Sequence, residues 1–558
     1  MRAVAPQDGR PRVVRRPPSG RATGPAARKA LRPLHTTDDD HQLRTDGNRP
    51  SMSPQKPDGH DAREPPSTGD NMTTDRTTGT GIASILDGVD QRVAAGPFRA
   101  TWESLAGYRV PDWYRDAKFG IFIHWGPYSV PAFGNEWYAR NMYVAGQAEY
   151  DHHRETYGPQ DEFGYKDFIP HLTGANFDAD EWASLFRQAG AQYVVPVAEH
   201  HDGFAMYDTA LNPWNAAATG PGRDVIGELA RAVRDRSMVF GLSSHRAEHW
   251  WFMNGGMRFD SDVRAGRHAD LYGPAQPEEL PPTRDFLDDW LARTAELVER
   301  YQPELLYFDW WIQQPAFKPY LPRLAAYYYN TLAGAGRGPV LAYKHDAFAP
   351  GTAVYDVERG VSATLRPDPW QSDTSVSRNS WCHIENHDYK SGPELLATLV
   401  DTVSKNGCLL LNIGPRADGS IPEHEAGLLR EIGAWLGVNG EAIYASRPWT
   451  VYGEGPTQIK DGQFTDGAQA AYQPEDLRFT TRKEHLYVTA LGGVRDGRID
   501  VRSLGRNLTL FPQEIGSVRM LGHPEPLEFE RGSHALTVRL PESAAGTPMP
   551  VLRVDPAR

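Results

Sequence analysis

The sequence has little cysteine, with only Cys382 and Cys408 among its 558 residues. Two cysteines provide no disulfide framework, and their spacing matches no zinc-binding motif. No apolar run approaches the roughly 18 residues that would predict a membrane-spanning helix. The chain also lacks a net positive charge, because its 59 Lys and Arg are outnumbered by 72 Asp and Glu and the formal net charge is −13. This argues against nucleic acid or an anionic membrane as the main partner. What remains is a large globular chain, long enough for about two or three domains.

The N-terminal segment lacks apolar periodicity. Roughly its first 80 residues are mainly Arg, Pro, Gly, Ser, Thr and Asp, a composition that cannot bury enough apolar surface to become ordered. We therefore predict a disordered extension over residues 1–95. Arg15 and Arg16 form a twin-arginine pair, but no apolar stretch follows them. A secretion signal is thus not indicated, and the expected location is cytoplasmic.

Short apolar runs begin after about Phe98 and alternate with amphipathic segments. Because the runs are continuous rather than alternating, they predict strands that are covered on both faces, as in a parallel sheet. The seven runs are FGIFIHW (119–125), YVVPVAEH (193–200), VFGLSSH (239–245), LLYFDWW (305–311), VLAYKHD (340–346), VYDVERG (354–360) and CLLLNIGP (408–415). The segment PWQSDTS (369–375) is expected to supply one more short strand, the eighth. Helical periodicity lies between them, at residues 178–191, 223–237, 284–301 and 391–407.

This alternation predicts an α/β fold, a (β/α)8 barrel of the TIM type over residues 96–445. A doubly wound open sheet is the alternative, but the glycine-rich phosphate loop that would support it is missing. After about Ser446 the helical periodicity stops. Short alternating stretches with turn residues between them then predict an antiparallel β-sandwich over residues 446–558.

Polar and aromatic side chains directly follow six of the predicted strands. In a barrel of this kind the active site lies at the carboxyl ends of the strands, so these side chains converge on one rim. Such a mixture can orient hydroxyl groups, hold two catalytic carboxyl groups and stack on a sugar ring. The six groups are His124-Trp125, Glu199-His200-His201-Asp202, His245-Arg246, Asp309-Trp310-Trp311, Lys344-His345-Asp346 and Glu358-Arg359.

Four long motifs resemble glycoside hydrolase family 29, the α-L-fucosidases. The motifs are WYRDAKFGIFIHWGPYSVPAFGNEWYARNMY (113–143), EHHDGFAMYDTALNPWN (199–215), VSKNGCLLLNIGPRADGSIP (403–422) and NGEAIYASRPWTVYGEGPT (439–457). The resemblance covers roughly residues 98–558. It implies a retaining exo-α-L-fucosidase that hydrolyses terminal α-L-fucosyl linkages through a covalent fucosyl-enzyme. The implied substrate is a fucosylated oligosaccharide or glycoconjugate, and no metal or organic cofactor is expected.

The resemblance also implies roles for two carboxyl groups. The family's nucleophile is an aspartate at the end of the fourth strand, and Asp309 in ELLYFDWW has that position. Retention requires a second carboxyl group about 5–5.5 Å from the first, which gives its proton to the leaving oxygen. Glu358 in YDVERG, at the end of the sixth strand, is our candidate for this general acid and base. Asp346, Glu385 and Glu248 are the next candidates.

Substrate-binding residues follow from the same motifs. The family's first-strand histidine corresponds to His124, its Glu-Trp pair to Glu136 and Trp137, and its histidine pair to His200 and His201. Neutral imidazoles both donate and accept hydrogen bonds, and a carboxylate accepts them from hydroxyl groups. The indole of Trp137 is suited to lie against the apolar face of fucose.

Structural explanations compete with each of these roles. An aspartate at a strand end, such as Asp309, often only caps the next turn. Glu358 and Arg359 would form a surface ion pair of little consequence, and a single histidine on an apolar strand, such as His124, is usually a core residue. A fucosidase needs a well-placed second carboxyl group, whereas a catalytically silent fucose-binding protein would lack it. A barrel glycosidase for another sugar is the third possibility.

A metal site is a further alternative for the segment His200-His201-Asp202, because imidazole and carboxylate are common metal ligands. Adjacent side chains of a strand point to opposite faces, however. His200 and His201 therefore face one ion only if the strand ends before them, and no metal is expected.

The chain departs from the family pattern at three positions near these motifs. Tyr307 stands two residues before Asp309, where many members have tryptophan. Trp310 follows the nucleophile position, where glycine or another residue is often found. Cys382 replaces the glycine of the usual SWGY segment, and this change puts the leaving-group specificity in question.

Overall fold

A computed structural model describes residues 73–544 and 546–557. Eight parallel strands form a closed barrel in which each strand pairs with the next and the last pairs with the first. All eight predicted strands are present, which confirms the barrel. The strands are β1 (Phe119–Ile123), β2 (Tyr193–Glu199), β3 (Val239–Ser244), β4 (Leu305–Phe308), β5 (Val340–Tyr343), β6 (Val354–Glu358), β7 (Trp370–Ser375) and β8 (Gly407–Ile413).

Burial explains why the strands have continuous apolar runs. Every residue of β1, β2, β4, β5, β7 and β8 is buried. Inward-facing side chains such as Phe122, Val195 and Leu305 fill the barrel interior, and a second, larger core lies between the strands and the surrounding helices. A strand covered on both faces has no polar face, so its sequence does not alternate.

Thirteen α-helices are found in the described part of the chain. The helices predicted at 178–191, 223–237, 284–301 and 391–407 are confirmed as the sixth, seventh, tenth and twelfth of them. The helices are α1 (Thr73–Ala95), α2 (Trp102–Leu105), α3 (Asp112–Ala117), α4 (Tyr138–Asn141), α5 (Ala148–Thr156), α6 (Ala179–Gln188), α7 (Val225–Asp235), α8 (His249–Phe252), α9 (Ala269–Tyr272), α10 (Arg284–Tyr301), α11 (Leu321–Gly334), α12 (Gly392–Ser404) and α13 (Glu423–Asn439).

Local signals account for several helix ends. Asp178 accepts hydrogen bonds from the backbone N–H groups of Asp180 and Glu181, as expected of a helix cap. Gly190, just after α6, has a φ of 89°, which suits glycine at a helix end. The described chain has no α-helix between β5 and β6 or between β6 and β7.

The prediction of a disordered extension is wrong for residues 73–95, which form α1. The rest of the predicted extension, residues 1–72, lies outside the described residues. Val89 of α1 is buried, and Ile85, Leu86 and Val93 pack against the same core. These four apolar residues share one helix face next to α10 and α11. The segment is thus helical because its apolar face packs on the barrel helices, which its polar composition concealed.

The C-terminal region consists of two antiparallel sheets, which confirms the predicted β-sandwich. The five-stranded sheet has the order β13-β16-β11-β10-β9, and the three-stranded sheet has the order β12-β15-β14. The strands are β9 (Arg447–Glu454), β10 (Leu477–Arg482), β11 (His485–Ala490), β12 (Arg498–Val501), β13 (Ile515–Met520), β14 (Phe529–Arg531), β15 (Leu536–Arg539) and β16 (Val551–Pro556).

This β domain is joined to the barrel through buried polar contacts. Asp401 of α12 accepts hydrogen bonds at 2.6 Å from both Lys405 and Arg478, the latter on β10. The connection between β9 and β10 also returns to the barrel rim, where Phe464 donates its backbone N–H to the Glu358 carbonyl oxygen at 2.8 Å. Among the described residues, none of the helices has the length and apolar character needed to cross a membrane.

Candidate active site

A cavity of about 440 Å³ opens at the carboxyl ends of the barrel strands. All seven residues predicted from the sequence line it, together with residues that the sequence analysis gave no role. The lining residues are Phe122, His124, Glu136, Trp137, His200, His201, His245, Tyr307, Asp309, Trp310, Lys344, His345, Glu358, Asp373, Trp381 and Phe464.

Asp309 directly follows β4 and is buried at the centre of the cavity wall. Its Oδ2 atom lies 3.1 Å from His245 Nδ1 and 3.4 Å from His201 Nε2, and its Oδ1 atom lies 2.9 Å from Lys344 Nζ. These partners are side chains from three other strand ends. The aspartate is therefore held by charged and polar groups across the barrel mouth and does not cap a turn.

Glu358 is the last residue of β6 and shares a cation with Asp309. Lys344 Nζ lies 2.5 Å from Glu358 Oε2 and 2.9 Å from Asp309 Oδ1. The two carboxylate oxygens cannot be farther apart than the sum of these distances. They are thus within the roughly 5.5 Å that is typical of retaining glycosidases, and closer than the 6.5–9.5 Å of inverting ones.

The two carboxyl groups differ in their pKa values. Burial alone would raise the pKa of Asp309, but Lys344, His245 and His201 outweigh it and hold this pKa well below its ordinary value. Burial, with the negative charges of Asp309 and Asp373, raises the pKa of Glu358 to about 7 despite the opposing effect of Lys344. At neutral pH one group is an anion and the other still carries its proton for half of the time, a division suited to acid catalysis.

The histidines of the cavity are held in defined orientations. His124 Nδ1 lies 2.7 Å from Asn412 Oδ1, and the amide nitrogen of Asn412 donates to the Trp381 carbonyl oxygen at 2.6 Å. Because this second bond fixes the amide, His124 Nδ1 is the donor and Nε2 is free to accept a hydrogen bond from a ligand. Burial lowers the pKa of His124, His200 and His245, so these rings are neutral at neutral pH.

His200 and His201 both face the cavity, with ring centroids 4.2 Å apart. This is possible because β2 ends at Glu199, so the alternation of a strand no longer applies to them. His201 Nδ1 donates to the His245 carbonyl oxygen at 2.9 Å. Within the described residues His200 Nδ1 is buried without a hydrogen-bond partner, which leaves it available for a bound hydroxyl group.

The loop after β1 contributes Glu136 and Trp137. Glu136 Oε2 accepts the backbone N–H of Trp381 at 3.0 Å, while burial raises the pKa of this carboxyl group. The half-buried Trp137 ring lies 5.7 Å from the His201 ring, centroid to centroid. A carboxyl group and indole rings on one wall fit a ligand that has both hydroxyl groups and an apolar face.

Glu199 and Arg246, which the sequence placed on the rim, have a structural role instead. Arg246 pairs with Glu199 at 2.5 Å and with Asp289 at 2.7 Å, and Arg293 contacts the same two carboxylates. None of these four residues lines the cavity. Their buried network satisfies its own charges and stabilises the end of β2.

The reserve candidates for the acid and base are poorly placed. Asp346 and Glu385 are exposed, and Asp346 pairs with Lys318 at 3.3 Å. Glu248 is fully buried behind His201, whose Nδ1 lies 3.2 Å from its Oε1, and it does not line the cavity. Burial raises the pKa of Glu248 well above its ordinary value. Among the four candidate carboxyl groups, only Glu358 meets the cavity.

The role of Lys344 could not be predicted from the sequence, although the residue stands at a predicted strand end. Its position between two carboxylates depends on three strands meeting, which no local motif reports. Of the departures from the family pattern, Tyr307 lies next to it. Tyr307 donates its hydroxyl to Asp373 Oδ2 at 2.9 Å, and Lys344 Nζ lies 3.6 Å from the same atom. Cys382 is buried beside Tyr128 and does not line the cavity.

Among the described residues, two sets of side chains have the spacing of metal ligands. The potential ligand atoms of His124, His200 and His245, and those of His201, His245 and Asp309, lie within 4.8 Å of one another. Asp202 belongs to neither set, because it accepts hydrogen bonds from Tyr165 and from the Phe204 backbone. An ion at the second set would lie close to the Lys344 ammonium group, and this repulsion disfavours it.

Comparison with known proteins agrees with the motifs. A family model described as alpha-L-fucosidase matches residues 86–441. The tissue alpha-L-fucosidase of Rattus norvegicus is 31% identical over 440 residues, which are 76% of this chain and 86% of the relative. The plasma alpha-L-fucosidase of Homo sapiens is 35% identical over 376 residues, 64% of this chain and 74% of the relative.

Solved structures give the same result. The crystal structure of Thermotoga maritima alpha-fucosidase in complex with fucose is 30% identical, with a TM-score of 0.65, and the match covers 82% of this chain and 100% of that chain. The complex of the Thermotoga maritima enzyme with a mechanism-based inhibitor is 28% identical, with a TM-score of 0.66, covering 82% of this chain and 99% of that chain.

Proposed function

Because this chain belongs to the α-L-fucosidase family, we propose that it hydrolyses α-L-fucosyl linkages with retention of configuration, using Asp309 as nucleophile and Glu358 as general acid and base. The chain is a glycoside hydrolase, and its substrates are fucosylated glycans. The observation that carries the mechanism is the shared contact of both carboxylates with Lys344 Nζ, which limits their separation to that of a retaining pair.

In the first step the Asp309 carboxylate attacks the anomeric carbon of the fucosyl residue. The bond to the leaving oxygen breaks as Glu358 transfers its proton to that oxygen, so the leaving group departs as a neutral alcohol. Asp309 then holds the sugar as an ester, and Glu358 is a carboxylate. In the second step Glu358 removes a proton from water, the water oxygen bonds to the anomeric carbon, and the ester bond to Asp309 breaks.

Lys344 remains paired with an anion throughout this cycle. Before the first step the charge is on Asp309, and after it the charge is on Glu358, and the ammonium group contacts both side chains. The lysine therefore stabilises the Asp309 anion in the resting enzyme and the Glu358 anion in the intermediate. A fixed cation that serves both states needs no rearrangement between them.

The remaining lining residues supply the substrate contacts of the proposal. His124, His200 and His201 face the cavity with Glu136 and are suited to bind sugar hydroxyl groups. Since the second carboxyl group is present and close, a silent binding protein is the weaker interpretation. Three further expectations stay predictions from the sequence. They are a reaction without metal or organic cofactor, a cytoplasmic location, and the absence of nucleic-acid and membrane partners.

Product stereochemistry tests the mechanism directly. During hydrolysis of para-nitrophenyl α-L-fucoside, the first fucose detected by proton NMR is expected to be the α anomer, because two displacements restore the original configuration. The β anomer should appear only later, at the rate of spontaneous mutarotation. Early formation of β-fucose would mean an inverting reaction, and the proposed role of Asp309 as nucleophile would be wrong.

The pH dependence of kcat/KM reports the proposed acid. Glu358 must be protonated to donate its proton, and its pKa is raised to about 7. Activity is therefore expected to hold through mildly acidic pH and to fall above about pH 7, roughly tenfold per pH unit well beyond the pKa. Asp309 must be ionised, and since its pKa is depressed, it causes loss only at strongly acidic pH. A decline that begins near pH 4 to 5, about the ordinary pKa of glutamate, would exclude Glu358 as the acid.

A further inference from the structure

An exposed phenylalanine from the C-terminal β domain lies at the mouth of the cavity. Phe464 is in the connection between β9 and β10, and 64% of its surface is exposed. It also lines the catalytic cavity, and it is the only lining residue that follows the barrel in the sequence. A single exposed apolar side chain needs no explanation by itself. Phe464 differs from the other large exposed apolar residues of the described chain, such as Leu508, because it lines the cavity.

The backbone around this ring is fixed to the barrel. Gly462 donates its N–H to the Val361 carbonyl oxygen at 3.1 Å, and Asp466 donates its N–H to the Arg359 carbonyl oxygen at 2.8 Å. The Asp466 carboxylate accepts hydrogen bonds from Thr374 at 2.7 Å and from Lys390 at 2.5 Å. Residues 461–466, here called the strap, are thus anchored on the segment that follows β6, on β7 and on Lys390.

The conformation of Phe464 itself is unusual. Its φ is 55°, in the left-handed region that residues other than glycine rarely adopt. Within this strained backbone the Phe464 N–H reaches the carbonyl oxygen of Glu358 at 2.8 Å. The strap therefore holds the ring next to the proposed acid by a backbone geometry that the side chain does not favour, as is common at binding sites.

The position beside Glu358 indicates which part of the substrate the ring meets. Glu358 gives its proton to the leaving oxygen, so the group attached to that oxygen lies on the Glu358 side of the cavity. In the proposed mechanism the fucose lies over Asp309, the histidines and Glu136. Phe464 is hydrogen-bonded to the backbone of Glu358. It is consequently on the side of the leaving group and not on the side of the fucose.

We propose that the strap of the β domain forms the leaving-group subsite, with the Phe464 ring packing on the sugar from which fucose is cleaved. The ligand is a neutral hexose unit, whose face of C–H groups matches an exposed aromatic ring. This inference rests on the proposed function, because the side of the leaving group is defined by Glu358. It gives the C-terminal domain a direct part in the choice of substrate.

The test compares two leaving groups of different size. Wild type, Phe464→Ala, Phe464→Gly and Phe464→Tyr are assayed with α-L-fucosyl fluoride and with a panel of α-L-fucosyl-galactose disaccharides, one for each linkage. Fluoride is too small to reach the strap. For the best disaccharide, the ratio of its kcat/KM to that of the fluoride is expected to fall roughly tenfold in Phe464→Ala, mainly through KM.

Three further variants or comparisons make the result specific. Phe464→Gly removes the same ring but suits the positive φ, so an equal fall in both variants excludes a backbone effect. Phe464→Tyr keeps the ring and should retain the wild-type ratio. Leu508→Ala truncates another exposed apolar side chain of the β domain, 48% exposed and not among the lining residues, and should also leave the ratio unchanged.

Several outcomes would overturn the subsite. An unchanged ratio in Phe464→Ala, or an equal loss on both substrates, would each exclude it. These outcomes leave the proposed mechanism intact. A wild type that releases inverted fucose from the fluoride would instead reject the proposed mechanism, whatever the Phe464 variants do.

Discussion

Asp309→Ala is expected to lower kcat/KM for para-nitrophenyl α-L-fucoside by on the order of 1,000-fold or more, because no covalent intermediate can form without the nucleophile. The cavity that replaces the carboxylate should admit azide, which can attack the anomeric carbon directly. Azide is therefore expected to restore part of the activity and to yield β-L-fucosyl azide, the product of a single displacement.

The matched control for this prediction is Asp346→Ala. Asp346 also follows a barrel strand, but it is exposed and pairs with Lys318 outside the cavity. Its replacement should leave kcat/KM near the wild-type value. Should Asp346→Ala be the inactive variant, or should azide fail to produce the β azide with Asp309→Ala, the assignment of the nucleophile would be wrong.

Glu358→Ala is expected to have an effect that depends on the leaving group. On a fucosyl-galactose disaccharide, whose leaving alcohol needs a proton, kcat/KM should fall by about 10²- to 10⁴-fold. On α-L-fucosyl fluoride the first step needs little help from an acid, so the loss should be far smaller. The fall in activity above about pH 7 should also disappear, because the Glu358 carboxyl group that causes it is absent from this variant.

Azide separates the two carboxyl groups by the anomer that forms. In Glu358→Ala the fucosyl-enzyme still forms on Asp309, and azide then attacks it from the opposite face, so the expected product is α-L-fucosyl azide. Glu385→Ala is the control, because Glu385 is exposed and does not line the cavity. Glu358 would not be the acid if Glu385→Ala formed the α azide and Glu358→Ala kept full activity on disaccharides.

Much of the fold could be predicted because its signals are local. Parallel strands buried on both faces are mostly continuous apolar runs, and the seven predicted runs are strands of the barrel, together with the polar segment that forms β7. The cap at Asp178 and the glycine at Gly190 are likewise readable from a few neighbouring residues. The helix α1 was missed because a single apolar face, with Val89 at its centre, is hard to distinguish within a polar segment.

The sequence by itself determined that Asp309 and Glu358 stand at strand ends, and a barrel brings all such ends to one rim. Only the tertiary structure decided their separation, because it depends on Lys344 from a third strand. It also decided that Glu199 and Arg246 pair outside the cavity, and that Phe464 returns from another domain to Glu358. The physical reason is that the sequence pattern around a residue indicates which face of its strand or helix the residue occupies. Distances between remote residues are set instead by the closure of the barrel and by the packing of the domains.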